Sequence, residues 1–191
     1  MNGIRLSLHK FFLMKKWFLG MLIIGVTSCT SSHDEMKKDV SVSLAKANQT
    51  FFTNHPDTVL VNQAGTNIGL FVKKYPQDSL TPIFLFELAL LLEKQQNYEK
   101  ALKTLQDIYT SYPASMAASK AVFFEGFLYA NVLRQLDKAK KTYQYYLDNY
   151  SAVDSKVTHD VQLELQNLGK SPEEILKGFE EKAKVDTLAP S

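Results

Sequence analysis

Two similar stretches decide the fold of this chain, "NYEKALKTLQDIYTSYP" at residues 97–113 and "QLDKAKKTYQYYLDNYS" at residues 135–151. They are identical at six of 17 aligned positions without a gap. A related stretch, "FVKKYP", ends at Pro76, and its Tyr75 lies 37 residues before Tyr112. A repeat period of roughly 20–50 residues indicates stacked structural units, because one unit alone cannot bury its apolar face.

The segments around these stretches carry helix signals. Residues 80–95 are apolar nearly all round, as expected of a helix packed between neighbours. Asn97 is placed to cap the helix that follows, and Pro113 is placed to end it. Only residues 39–44, "DVSVSL", show a short alternation typical of a strand. The prediction is an all-α fold.

The later helices have recognisable starts. Ser115 or Ser119 begins the helix after Pro113, and Asp154 or Ser155 begins the helix after the second stretch. The sequence "SPEE" at residues 171–174 has the form of a capping box with proline at the first helical position. We therefore expect a chain of short helices joined by tight turns.

At this level the chain resembles the tetratricopeptide repeat (TPR) family. The family pattern has a small residue and an aromatic in helix A, an alanine opening helix B, and a closing proline. Residues 82–115 carry Ala89, Ala101 and Pro113 at these positions, with Leu92 in place of the aromatic residue. The resemblance implies a short α-solenoid of antiparallel helix pairs.

A second repeat, residues 119–153, carries Gly126, Tyr129 and Ala139, with Ser151 in place of the proline. The interval from Gly126 to Ala139 is one residue longer than the equivalent interval in the first repeat. We expect the extra residue in the turn between the two helices. Small residues at these positions let helices A and B approach closely.

The resemblance extends to both sides of these two repeats. Residues 57–76 are similar to helix B of a degenerate earlier repeat, with its helix A at roughly residues 35–53. Residues 155–184 are predicted to form a last pair that caps the stack. The repeat domain is thus expected over residues 39–184, followed by a disordered tail at residues 185–191.

The N-terminal segment has the form of an export signal. "WFLGMLIIGV" provides about ten apolar or glycine residues, too few for a membrane span of about 20 residues, and Lys15 and Lys16 flank it. "VTSC", ending at Cys29, resembles the bacterial lipobox. The resemblance implies cleavage before Cys29 and acylation of its thiol, with residues 1–28 removed as the signal peptide. Met14 is an alternative start, because a complete signal follows it.

Residues 29–38 after the lipobox are small, polar and charged, and are predicted to be a lipidated flexible tether. Thr30 follows Cys29, in place of the aspartate that retains some bacterial lipoproteins in the inner membrane. By that resemblance the expected location is the outer membrane. A generic signal peptide with a chance cysteine is the alternative interpretation.

Composition excludes several function classes. Residues 1–28 contain four of the 22 basic residues and no acid, which leaves 18 bases and 20 acids in the remainder. This balance disfavours nucleic-acid binding. One cysteine and four scattered histidines, with no glycine-rich phosphate loop, indicate no metal site, no cofactor and no catalytic constellation.

The groove of TPR proteins is lined by helix A, and the resemblance places four apolar residues and Glu93 there. Two further acids, Glu87 and Glu125, lie inside apolar runs and must find water, a base or a ligand. The candidate partner-binding residues are therefore Phe86, Glu87, Leu90, Glu93, Phe123, Glu125 and Phe127. The alternative is that the apolar residues pack against the next repeat and that the acids point into an empty groove or pair with a lysine.

Together these features resemble the small TPR lipoproteins of Gram-negative envelopes. The resemblance implies a non-enzymatic adaptor that binds another envelope protein or peptide segment, in outer-membrane assembly or envelope maintenance. It contacts the membrane through the lipid on Cys29. The alternative is a glycan- or peptidoglycan-binding lipoprotein that uses surface tyrosines such as Tyr145.

Overall fold

The computed structural model describes residues 32–51, 57–178 and 180. Within these ranges all regular structure is helical and no strand occurs, which confirms the all-α prediction. Residues 39–44, the one strand-like segment, are helical. The predicted signal peptide at residues 1–28, Cys29 and the predicted tail at residues 185–191 lie outside the described residues.

Eight helices follow one another along the described part of the chain. They are α1 (32–50), α2 (Thr58–Lys74), α3 (Thr81–Lys94), α4 (Tyr98–Ser111), α5 (Met116–Phe127), α6 (Leu136–Tyr150), α7 (Ser155–Asn167) and α8 (172–178). A π-helical segment, Leu128–Val132, continues α5. The chain divides into two units, residues 1–76 with α1 and α2, and residues 77–191 with α3 to α8.

The first unit contains the helix pair predicted as a degenerate repeat. The Asn67 side chain donates from Nδ2 to Ser43 Oγ at 3.2 Å, which ties α2 to α1. The His33 ring lies 4.3 Å from the Tyr75 ring between centroids. Residues 32–38, which belong to the predicted tether, are helical, and the His33 ring also stacks on Phe71 of α2. The first helix therefore begins before residue 39.

The second unit is a stack of antiparallel pairs. Each helix from α3 to α7 packs on the next, and α5 also contacts α3 and α7, as helix A of neighbouring repeats should. The small residues predicted at the helix crossings, Ala89, Ala101, Gly126 and Ala139, are all buried. Leu105, Ile108, Tyr143 and Tyr146 fill the core between them with no exposed surface.

The extra residue of the second repeat lies in a helix, which corrects the expectation that it lies in the turn. Gln96 and Arg134 have the same left-handed backbone, with φ of 60° and 56°, and each precedes the helix B alanine by five residues. The turns are therefore equivalent. The additional residue is absorbed by the π-helical segment, where the Leu133 N–H donates to the Leu128 carbonyl at 2.9 Å.

Helix caps agree with the sequence signals at three of the four sites. Ser115 accepts from the Ala118 N–H at 3.2 Å, and Asp154 accepts from the Lys156 N–H at 2.9 Å. Ser171 and Glu174 form the predicted reciprocal capping box. Asn97 precedes α4 as expected, but its side chain makes no capping hydrogen bond.

Candidate partner-binding cleft

Three phenylalanines of α5 form an aromatic surface. One side of α5 carries Phe123, Phe124 and Phe127, because Phe124 directly follows Phe123 and Phe127 lies one helical turn after both. The rings of Phe124 and Phe127 are nearly parallel, with centroids 5.9 Å apart. Phe86 of α3 approaches the Phe124 ring edge-on at 6.1 Å. All four side chains keep part of their surface exposed, which makes this a continuous apolar surface across two repeats.

This surface continues into an open cleft between α5 and α7, here called the aromatic cleft. Its volume is about 360 Å³. The lining residues are Phe123, Phe124, Phe127, Asp160, Leu163 and Glu164. Phenylalanines thus supply the α5 wall, and α7 supplies one leucine and two acids. A concave, mostly apolar cleft with a few polar groups is the usual form of a binding site.

Glu164 connects the cleft to the core. The Tyr143 hydroxyl of α6 donates to its Oε2 at 3.5 Å. Burial raises the pKa of Tyr143, and the nearby Glu164 carboxylate raises it further. The Phe123 ring lies 6.3 Å from the Tyr143 ring, so both walls of the cleft rest on the same buried tyrosine. This support fixes the positions of the lining side chains.

The structure brings together only part of the predicted set. Phe123 and Phe127 line the aromatic cleft, and Phe86 adjoins it through Phe124. Leu90 and Glu93 lie on α3 with partly exposed side chains and do not line the cleft. Their predicted role in partner binding stays a prediction.

The two predicted acids occupy different environments. Glu87 is partly exposed on α3, whereas Glu125 is only 3% exposed. Among the described residues Glu125 is buried and forms no salt bridge with a lysine, so neither alternative describes it. Gln106 Nε2 donates to its Oε1 at 2.8 Å, and Tyr109 and Tyr129 lie near the same carboxylate. Burial raises the pKa of Glu125, and the polar side chains of Gln106, Tyr109 and Tyr129 oppose that rise.

Four lining residues escaped the sequence reasoning: Phe124, Asp160, Leu163 and Glu164. Phe124 is not at the groove positions that the resemblance implies, and Asp160 and Glu164 lie on a helix outside the two matched repeats. One signal was present in the sequence. Val157 and Val161 pack into the core from one face of α7, and Leu163 lies off that face, where it is 36% exposed. A leucine on the polar side of a helix indicates a second apolar surface.

Tyr145 of α6 lies at the surface as predicted, with 42% of its surface exposed, whereas Tyr143 and Tyr146 of the same helix are fully buried. The Tyr145 ring lies 5.7 Å from the Tyr109 ring of α4, so the two form an aromatic pair on the helix B side.

A second apolar cavity of about 560 Å³ lies at the N-terminal ends of α3 and α5. Its lining includes Pro82, Ile83, Tyr112, Pro113 and Met116. The Met116 side chain is 65% exposed. No charged side chain other than Asp78 lines this cavity, and Asp78 caps the backbone N–H of Leu80 at 2.8 Å.

Metal-binding and membrane-spanning features are absent from the described residues. In these residues no group of histidine, cysteine, aspartate and glutamate side chains is arranged to hold a metal ion. In the same ranges no helix combines the length and the apolar character needed to cross a membrane.

The stacked helix pairs have the form of a TPR-like helical repeat. A sequence model of the tetratricopeptide repeat family matches residues 84–115, which coincides with the predicted repeat at 82–115. No curated protein and no solved structure matches the chain. Repeats of this family typically bind other proteins as non-enzymatic scaffolds, so the repeat indicates a protein–protein interaction role.

Proposed function

We propose that this protein is a lipid-anchored adaptor of the bacterial cell envelope that binds another protein through the aromatic cleft. The observation that carries the binding role is the cleft itself, where three phenylalanines remain partly exposed beside α7. Aromatic residues, phenylalanine among them, are enriched in protein–protein interfaces. The adaptor has no catalytic role and needs no cofactor.

The anchor is the lipid that we assign to Cys29. The support is in the sequence, where a basic pair, an apolar run of about ten residues and "VTSC" follow in the order of a lipobox signal. Two or more acyl chains hold a protein durably at a membrane. Metabolic labelling with an alkynyl fatty acid is expected to mark the wild-type protein and the Ser28→Ala control. Labelling that persists in Cys29→Ser would contradict the assignment.

The outer membrane is the proposed location, because Thr30 follows the acylated cysteine in place of an aspartate. Membrane fractionation of the wild-type protein and of Thr30→Asp tests this proposal. The wild type is expected in the outer-membrane fraction and the variant in the inner-membrane fraction. If the wild type and Thr30→Asp appear in the same membrane fractions, the proposed location is wrong, whereas the proposed lipid anchor is not affected.

Binding in the cleft is tested by replacing one of its phenylalanines. In cells treated with a mild crosslinker, the wild-type protein is expected to yield a reproducible crosslinked partner. Phe127→Glu places a charge in the apolar wall and is expected to abolish that product. Met116→Glu is the matched control, since Met116 is also exposed but lies outside the cleft. A partner retained by Phe127→Glu, with the helical circular dichroism signal intact, would refute the cleft assignment.

A glycan-binding function is the second candidate, favoured by the exposed Tyr145, whose ring lies against the partly buried Tyr109. Aromatic faces on a surface are suited to stack against sugar rings. This function predicts that the protein binds soluble peptidoglycan fragments and that Tyr145→Ala reduces the binding several-fold. Absence of binding by the wild-type protein would exclude it.

A further inference from the structure

We propose that the partner segment bound in the aromatic cleft is basic as well as apolar, with lysine or arginine side chains facing α7. This inference rests on the proposed function, because it names the kind of partner that the same cleft accepts. It follows from the distribution of charge along the two walls and from the lack, among the described residues, of a salt bridge to either carboxylate of α7.

The two walls of the cleft differ in chemistry. The α5 wall consists of Phe123, Phe124 and Phe127, while Asp160 and Glu164 stand four residues apart on α7. Residues four apart are neighbours on one helix face, so the two carboxylates form one acidic edge. A segment that fills the cleft therefore meets apolar side chains on one flank and carboxylates on the other.

The acidic edge has no cationic partner of its own in the described part of the chain. Neither Asp160 nor Glu164 forms a salt bridge there, and Glu164 receives only the long hydrogen bond from Tyr143. Arg134 and Lys170 line a neighbouring pocket together with Leu163 and Glu164, but neither forms a salt bridge with Glu164 in the described part of the chain. Lys120 and Lys156 lie about one turn before the cleft residues on α5 and α7, and none of these four bases lines the cleft. A partner that covers the cleft must pair with these two carboxylates or desolvate them at a cost.

Complementary charge favours a basic partner over an apolar segment, an acidic segment or a second copy of this chain. A purely apolar segment would bury the acidic edge without compensation, and an acidic segment would add repulsion. A second copy of this chain would have to present a basic and apolar segment to the cleft. Each of these alternatives is an outcome of the experiment below.

The probes are three synthetic 12-residue peptides with the same pattern of two phenylalanines and one leucine. Their four polar positions are all lysine, all glutamine or all glutamate. Each peptide is titrated against the full-length protein in nanodiscs of zwitterionic phosphatidylcholine, with empty nanodiscs as the blank. The lysine peptide is expected to bind about fivefold more tightly than the glutamine peptide, as two partly exposed ion pairs allow. The glutamate peptide is expected to bind most weakly.

The variant Asp160→Asn with Glu164→Gln removes the acidic edge and keeps the hydrogen-bonding shape. It is expected to abolish the preference for the lysine peptide while glutamine-peptide binding stays. The control is Glu99→Gln with Asp148→Asn, which changes the net charge equally on the exposed surfaces of α4 and α6. The control is expected to keep the preference. Added salt is expected to reduce the preference in the wild type.

The outcomes distinguish a failure of the proposed basic partner from a failure of the proposed binding cleft. Equal binding of all three peptides, lost in Phe127→Glu, overturns the basic partner and leaves the cleft as an apolar binding site. A preference that survives in Asp160→Asn with Glu164→Gln overturns the assignment to the acidic edge. No binding of any peptide, together with self-association in sedimentation that Phe127→Glu abolishes, overturns the proposal in favour of a second copy. Binding that Phe127→Glu does not affect overturns the cleft itself.

Discussion

Replacement of Gly126 by alanine is expected to destabilise the repeat stack. Gly126 lies in α5 against the ring of Tyr143 in α6. A Cβ atom at Gly126 would stand 2.6 Å from Tyr143 Cδ1 and 3.0 Å from Cζ, and closer still to Cε1. The ring has little freedom to move away, because Tyr143 is fully buried and its hydroxyl donates a hydrogen bond to Glu164.

The magnitude follows from two opposing effects. Alanine is favoured over glycine inside a helix by about 1 kcal/mol. Overpacking a well-packed core costs about 1–3 kcal/mol, and a contact with an enclosed aromatic ring belongs near the upper end of that range. The expected net effect is a loss of about 2 kcal/mol in the free energy of unfolding. Urea denaturation followed by far-ultraviolet circular dichroism measures this change.

The matched control is Gly69→Ala in α2, where no atom lies within 4 Å of the added Cβ. That substitution is expected to stabilise the protein by about 0.5–1 kcal/mol, because only the helix preference acts. A double-mutant cycle isolates the clash, since Gly126→Ala should cost nothing in a Tyr143→Ala background. Gly126→Ala with the stability of the wild type would refute the close approach of α5 and α6.

Two further stability changes follow from polar groups. Burial raises the pKa of Glu125 in the folded protein above its ordinary value of 4.5. The folded state then holds a proton that the unfolded state releases, so wild-type stability falls as pH rises from about 4.5 through the folded-state pKa. Glu125→Gln removes this loss, so the variant is expected to gain stability relative to the wild type as pH rises from 4 to 8. Urea denaturation across that pH range measures the difference. A difference between the two proteins that stays constant with pH would contradict the raised pKa. Asp154→Ala removes a side-chain cap of α7 and is expected to cost about 1 kcal/mol in thermal denaturation. Asn97→Ala should be nearly neutral, because Asn97 makes no capping bond, and equal costs for the two variants would contradict the cap assignment.

Local sequence patterns predict much of this fold because a repeat imposes the same contacts on each unit. Ala101 and Ala139 occur at one position of helix B, and both are fully buried, since a larger side chain there would separate the paired helices. Asp154 and Ser115 identify helix starts, because their side chains satisfy backbone N–H groups within the same turn. Such signals depend on neighbours in sequence and need no knowledge of the tertiary structure.

The aromatic cleft was less predictable because it depends on which helix packs beside α5 in space. Phe123 and Phe127 were found from the repeat register, but the second wall comes from α7, which lies outside the two repeats that carry the pattern. The burial of Glu125 was equally hard to predict from the sequence. Its environment is determined by Gln106 and Tyr109, which lie on α4 and reach it only after the helices pack.

The π-helical segment interrupts the regular helix of the second repeat at the end of α5, and its position agrees with the role we propose for α5. The segment begins directly after Phe127, and its second residue, Tyr129, lies near the buried Glu125. An inserted residue in a helix costs regular hydrogen bonds, and such segments occur often at functional sites. Here the insertion leaves the following turn unchanged and alters only the helix that carries the aromatic wall. A repeat serving only as a spacer would gain nothing from this irregularity, so we interpret it as the local adjustment that accompanies a binding surface.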